Sequence, residues 1–198
     1  EEYDTLSQIA PVVAYPETAW GTTWEDSLDL VGQALGRSEQ AETVLAETEQ
    51  TIEQTAQANP QLRDKTFVFA SLSSADRSKL DVYAPTDNRV RLLTDLGMKN
   101  APFVEQNAAQ DAFFFSVSAE QAPQLDSDLF IAYTMQPGEL ETFRSDPLIG
   151  QIPALRDGGF VEASDQTAVL GLSAPSPLAI PYSMEHFVPE VAAAAGQS

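Results

Sequence analysis

The sequence has no cysteine and a single histidine, His186. Without thiols there are no disulfides, no zinc–thiolate sites and no thiol chemistry. Cations are scarce too. Ten Lys and Arg stand against 30 Asp and Glu, a formal net charge of −20. That balance argues against nucleic acid as a partner, and against adhesion to an anionic membrane by charge. No apolar run reaches the roughly 18 residues of a membrane span. There is no Walker loop, no Gly-x-Gly-x-x-Gly and no signal peptide. The chain opens on Glu-Glu-Tyr-Asp without an initiator Met, so it reads as a piece of something longer.

What is present suits a sizeable core: 198 residues, 43% of them hydrophobic. Residues 9 to 15, IAPVVAY, predict a short strand ending at Pro16. TTWEDSLDLVGQALGR predicts a helix capped by Thr22 or Thr23, with Glu25 and Asp26 in its positive first turn and Gly36 as its stop. Ser38 is the expected cap of a long helix reaching Asn59-Pro60. Its apolar stripe of Ala41, Val44, Leu45 and Ile52 is thin, a pattern that suits a helix bridging two bodies.

From Lys65 the texture alternates. TFVFAS (66 to 71), FFFSV (113 to 117), LFIAYT (129 to 134) and FVEAS (160 to 164) read as strands. PTDNRVRLLTDLGMK, SAEQAPQL and PGELETFR read as helices between them. The alternation predicts an α/β fold, a three-layer arrangement with a mostly parallel sheet flanked by helices. The Ala-rich tail is expected to fray.

In open α/β sheets, ligands sit outside the carboxyl ends of the strands. On that rule the loop SLSSADRSKLDVY offers Arg77, Lys79 and Tyr83. The end of LFIAYT offers Tyr133, Thr134 and Met135, and GLSAPSPLAIPYS offers Ser173, Ser176 and Tyr182. Arginine supplies directional donors and tyrosine supplies stacking area, which suits an anionic ligand with flat parts. Ordinary solvated loop charges remain the simpler account of Arg77 and Lys79.

Glu120 follows the strand FFFSV and so falls on the same edge. Locally, Ser118-Ala-Glu120-Gln121 matches a Ser-x-x-Gln capping box, which explains an acid there without any function. Asp126-x-Asp128 resembles a metal-binding pair but precedes its strand, on the opposite edge. Gly171-Leu-Ser173-Ala-Pro175 lacks the second glycine of a nucleophile elbow. A hydrolase would have to pair Ser173 with His186.

Six pieces, in order, resemble the iron-siderophore and cobalamin type of substrate-binding protein that serves ABC importers. They are YDTLSQIAPVV, WEDSLDLVGQALGRSEQAETVL, VRLLTDLGMK, VSAEQAPQLDSDLFIAY, IPALRDGGFVEA and LSAPSPLAIPYSMEHFVPEV. The resemblance implies half of a bilobal protein. Residues 1 to 37 would end a first lobe whose remainder is absent, 38 to 62 would form the interlobe helix, and 63 to 198 the second α/β lobe.

It further implies no enzymatic activity and a ferric siderophore as ligand. Cobalamin or heme is the alternative within the family, and a Ser173/His186 hydrolase the alternative outside it. No cofactor and no protein-bound metal are implied. The location would be extracytoplasmic, as a cell-surface lipoprotein or a periplasmic protein, with membrane association only through an upstream lipid anchor. Glu120 maps onto the family's Ser-x-Glu element, where the acid pairs with arginines of the permease. An absent lobe would also expose surface that favours an artificial dimer of the truncated chain.

Overall fold

The computed structural model describes residues 2–14 and 21–197. In chain order these form α1 (Glu2–Ser7), α2 (Trp24–Ala34), α3 (Ser38–Ala58), β1 (Thr66–Ser71), β2 (Lys79–Tyr83), α4 (Asn88–Asp95), β3 (Lys99–Asn100) and α5 (Pro102–Asn107). There follow β4 (Phe114–Ser118), a 3-10 helix (Ala119–Gln124), β5 (Leu129–Tyr133), α6 (Glu139–Arg144) and α7 (Pro153–Asp157). β6 (Phe160–Ala163), α8 (Gln166–Ser173), α9 (Ala179–His186) and α10 (Val188–Ala195) complete it. Among the described residues no helix is long and apolar enough to cross a membrane.

The sheet runs β4-β2-β1-β5-β6, with β3 beside the start of β1. β1 is parallel to β5 and to β3, and β5 is parallel to β6. β2 is antiparallel to both β1 and β4. β4 therefore points the same way as β1. The carboxyl ends of β1, β4, β5 and β6, at Ser71, Ser118, Tyr133 and Ala163, share one edge.

The two-residue period of the strands splits the core into two layers. Phe67 and Phe69 of β1, with Leu129 and Ile131 of β5, face α4, α8, α9 and α10. Val68 and Ala70, with Phe130 and Ala132, face α5, α6 and α7. Each Val, Leu, Ile or Phe among them contributes about 1.5–3 kcal/mol by leaving water. The register pairs Phe67 with Leu129 and Phe69 with Ile131, so the layers stack without offset.

Local chemistry sets most boundaries. Thr23 caps α2, its Oγ1 accepting from Asp26 N–H at 3.1 Å. Asp87 caps α4 by accepting from Arg89 N–H, and Gly97 beyond it takes φ +93°, a conformation closed to most side chains. Ser118 caps the turn after β4, accepting from Glu120 N–H at 3.4 Å.

Five expectations change. Residues 9–14 are not a strand, and Ile9 and Val13 lie exposed. β-propensity needs a partner surface, and none flanks this segment among the described residues. Tyr15 falls outside the described residues. The cap of α3 is Arg37, and Ser38 is already helical. SAEQAPQL forms a 3-10 helix, with Pro123 inside it removing a backbone donor. The last five residues of the supposed loop after β1 are the strand β2. The alanine tail does not fray, because Ala192, Ala194 and Ala195 are buried against the first core layer.

Candidate functional site

β2 is antiparallel, so its last residue, Tyr83, pairs with Phe114 at the amino end of β4. Its side chain reaches back to Ser71 and Tyr133 at the carboxyl ends of β1 and β5, and there the turn into α4 brings four side chains together. Tyr83 ends β2 and packs edge-on against Phe69, ring centroids 5.4 Å apart. Arg89, in the first turn of α4, lays its guanidinium 3.5 Å from the centre of the Tyr83 ring. Asp87 holds that guanidinium from the side, with Nε and Nη2 each donating at 2.8 Å. Both charged side chains are nearly buried, 12% and 6% exposed. Across the sheet, Tyr133 closes β5 and donates its hydroxyl to Gln166 Oε1 at 2.7 Å. Gln166 in turn donates to the Thr134 carbonyl at 3.0 Å.

The electrostatics follow from the burial. Tyr83 has its phenol pKa raised: burial is the main cause, offset in part by the Arg89 charge and a hydrogen bond with Ser71. For Arg89, burial is the largest single influence and works to lower its pKa. The hydrogen bond and charge of Asp87 outweigh it, and the net direction is up. The guanidinium therefore stays charged under a low-dielectric cover. A guanidinium has five N–H donors, and Asp87 takes two of them. Among the described residues no other acceptor takes the remainder. The arrangement is a fixed, stacked cation with donors to spare, suited to a ligand that presents several oxygen acceptors beside a flat face.

The residues expected from the sequence are placed as follows. Tyr83 and Tyr133 both lie close enough to Arg89 for their charges to act on it. Lys79 opens β2 at the same edge, exposed, 3.6 Å from Asp81. Arg77 is exposed in the connection before it, and Met135 is 59% exposed just beyond β5. Tyr182 lies apart from this cluster on α9, stacked on His186 at 4.0 Å. Glu120 is exposed at the end of β4, on the carboxyl edge. Arg89 was not among the expected residues. The signal available was the Tyr-x5-Arg spacing across a Pro-Thr-Asp turn.

The other expected chemistries have structural explanations. Ser173 donates to the Leu170 carbonyl and His186 Nδ1 bonds the Tyr182 carbonyl, so neither is hydrogen bonded to the other. Asp128 sits on the amino edge of the sheet. It accepts from Thr66 N–H and Thr66 Oγ1, both at 2.7 Å, and pairs with Lys65 at 3.5 Å. Burial works to raise its pKa, but the Thr66 bonds and Lys65 prevail and lower it. Asp126, Asp128 and Asp157 line a cavity of about 560 Å³ on that edge. Among the described residues no group of three or more His, Cys, Asp or Glu is placed to hold a metal ion.

Residues 1–167 match the family model described as periplasmic binding protein. No curated protein matches the chain. Among solved structures, the iron uptake ABC transporter substrate-binding protein PiaA from Streptococcus pneumoniae TIGR4 is 32% identical. It covers 100% of this chain, which in turn covers 68% of PiaA, with a TM-score of 0.87. PiaA in complex with ferrichrome is likewise 32% identical, over 99% of this chain and 66% of that one, with a TM-score of 0.89. FhuD2 from Staphylococcus aureus, with bound ferrioxamine B, shares the fold at 16% identity and a TM-score of 0.75, over 98% of this chain and 73% of that one. The chain thus spans about two thirds of the length of PiaA. With a match over most of its residues and this identity to PiaA, the chain belongs to the periplasmic binding protein family.

Proposed function

We propose that this chain is the larger part of the substrate-binding component of an ABC importer and captures a ferric siderophore outside the cytoplasmic membrane. One observation carries the reading: Arg89, buried and stacked on Tyr83, keeps unspent donors at the carboxyl edge of the sheet. A ferric siderophore offers a cage of oxygen acceptors around its cargo iron, which matches such a fork. Likeness to PiaA in complex with ferrichrome supports the same class.

In this reading residues 1–37 end a first lobe, 38–62 form the interlobe helix and 63–198 the second lobe. α3 packs against α2 and against α9, as a connecting helix would. Ligand contacts come from Arg89, Tyr83 and Tyr133, with Arg77, Lys79 and Met135 at the rim. Glu120 is the docking acid for the permease. Its rigid capped turn on the ligand-side edge supports that role.

The test is a fluorescence-quenching titration of the chain joined to a complete first lobe. The panel is ferrichrome, a ferric catecholate, ferric citrate, heme and cobalamin. Saturable quenching by a ferric complex at submicromolar concentration is expected. Arg89→Lys, which keeps the charge and loses the fork, should weaken it by roughly 10–100-fold, the equivalent of losing a charge-assisted hydrogen bond. Quenching by heme or cobalamin alone would replace the siderophore reading. No response to any of the five would remove it.

A further inference from the structure

A second hollow lies where the start of α2, the start of α4 and the end of α8 meet. It has about 230 Å³ and is lined by Thr22, Trp24, Ser27, Asn88, Ser173 and Pro175, with Ala174 between the last two. In a chain with 30 carboxylates, none of these lining side chains carries a charge. Trp24 is 4% exposed, and its indole Nε1–H is buried without a partner. It is the sole buried side-chain polar atom among the described residues in that condition. Leaving such a donor unpaired costs about 1–3 kcal/mol, so a persistent orphan beside a cavity points to an occupant.

The other polar groups define what the occupant must be. Ser27 Oγ already donates to the Thr23 carbonyl at 2.8 Å. Ser173 Oγ donates to the Leu170 carbonyl at 3.2 Å, and Asn88 Nδ2 to the Thr22 carbonyl at 3.4 Å. The two serine hydroxyl donors are engaged and their oxygen lone pairs remain, while Asn88 has a second amide N–H to give and Thr22 a hydroxyl. The cavity therefore mixes donors, on the indole, Asn88 and Thr22, with several acceptors. An anion would satisfy the indole but face the lone pairs. A cation would satisfy the lone pairs but leave the indole unpaired. A neutral compound whose hydroxyls both donate and accept satisfies both. Trp24 and Pro175 add apolar wall for its carbon skeleton, and the volume equals that of about eight waters.

We propose that this cavity is a second binding site, distinct from the Arg89 cluster, for a small neutral polyol. The test uses the ¹⁵N-labelled chain as it stands, in a Trp20→Phe background so that one indole resonance remains. Glycerol should shift the Trp24 indole resonance saturably, and sodium acetate at equal concentration should not. Ser173→Val, which narrows the hollow and removes its hydroxyl, should weaken the saturable shift without moving the thermal midpoint. A saturable shift with acetate would overturn the neutral class. A resonance that stays fixed, or drifts linearly with both compounds, would overturn the site. Should the valine variant fold poorly, the contrast between glycerol and acetate on the parent protein still decides.

Discussion

The two edges of the sheet hold opposite kinds of site. The amino edge has a hollow of about 560 Å³ with three aspartates around it. Yet its central acid, Asp128, is spent on Thr66 and Lys65, tying the start of β1 to the start of β5. The carboxyl edge has Arg89, equally well held, but by a partner that uses only part of its capacity. A hollow alone does not distinguish one edge from the other. What separates them is whether hydrogen-bonding capacity remains after the fold has been satisfied. By that criterion Asp128 is architecture, and the carboxyl edge is where the proposed site lies.

The largest effect that would break this comparison is at the carboxyl edge. Arg89→Ala strands Asp87 as a nearly buried, unpaired carboxylate. Losing one partner of such a pair costs about 3–5 kcal/mol. Denaturant unfolding should show that loss in Arg89→Ala, and most of it should return in Asp87→Asn/Arg89→Met, where no charge is left alone. Binding should not return in the double variant. Recovery of ferrichrome binding together with stability would mean that the guanidinium is only structural.

Asp128→Asn probes the opposite edge. The amide keeps the shape but loses the charge-assisted bonds to Thr66 and the pairing with Lys65. The side chain is 37% exposed, so the expected cost is about 1–2 kcal/mol, with siderophore affinity unchanged. The same residue gives a pH signature. Its pKa in the folded protein lies below the ordinary aspartate value of 3.8. A depressed carboxylate stabilises fully above its unfolded pKa, and that contribution disappears as pH falls through the folded value. Parent and Asp128→Asn stabilities should therefore differ at pH 6 and converge below pH 4. A difference that persists in strong acid would assign the effect to packing.

The contrast between the edges was only partly legible in the sequence. β1, β5 and β6 announce themselves as apolar runs between turn residues. Asp87 and Gly97 bracket α4 as cap and stop should. Asp126 and Asp128 could be assigned to the non-ligand edge because they precede their strand. β2 was hidden because its alternation, Leu80 and Val82 buried between Lys79 and Asp81, sits at the end of a polar stretch and spans only five residues. Treating it as loop moved Tyr83 from the core to the surface. Arg89 was hidden for a different reason. On an amphipathic helix a charged residue reads as the solvent face. Only the tight Pro85-Thr86-Asp87 reversal, which folds α4 back beside β2, turns it over the Tyr83 ring.

The smallest effect belongs to Glu120, and it sharpens what the carboxyl edge is for. The side chain is exposed, its turn is fixed through the backbone N–H to Ser118, and the fold makes no demand on the carboxylate. An exposed ion pair contributes about 0–1 kcal/mol and acts mainly on orientation and encounter rate. Glu120→Ala should leave the unfolding midpoint and ligand titration where they are, and lower uptake by the assembled importer. Glu120→Arg should lower uptake further if the proposed docking role holds, because it would set a like charge against the arginines proposed to receive Glu120. The ordering parent, alanine, arginine is the diagnostic, since a merely structural residue would move stability instead. Equal uptake in all three would confine the function of this edge to the Arg89 cluster.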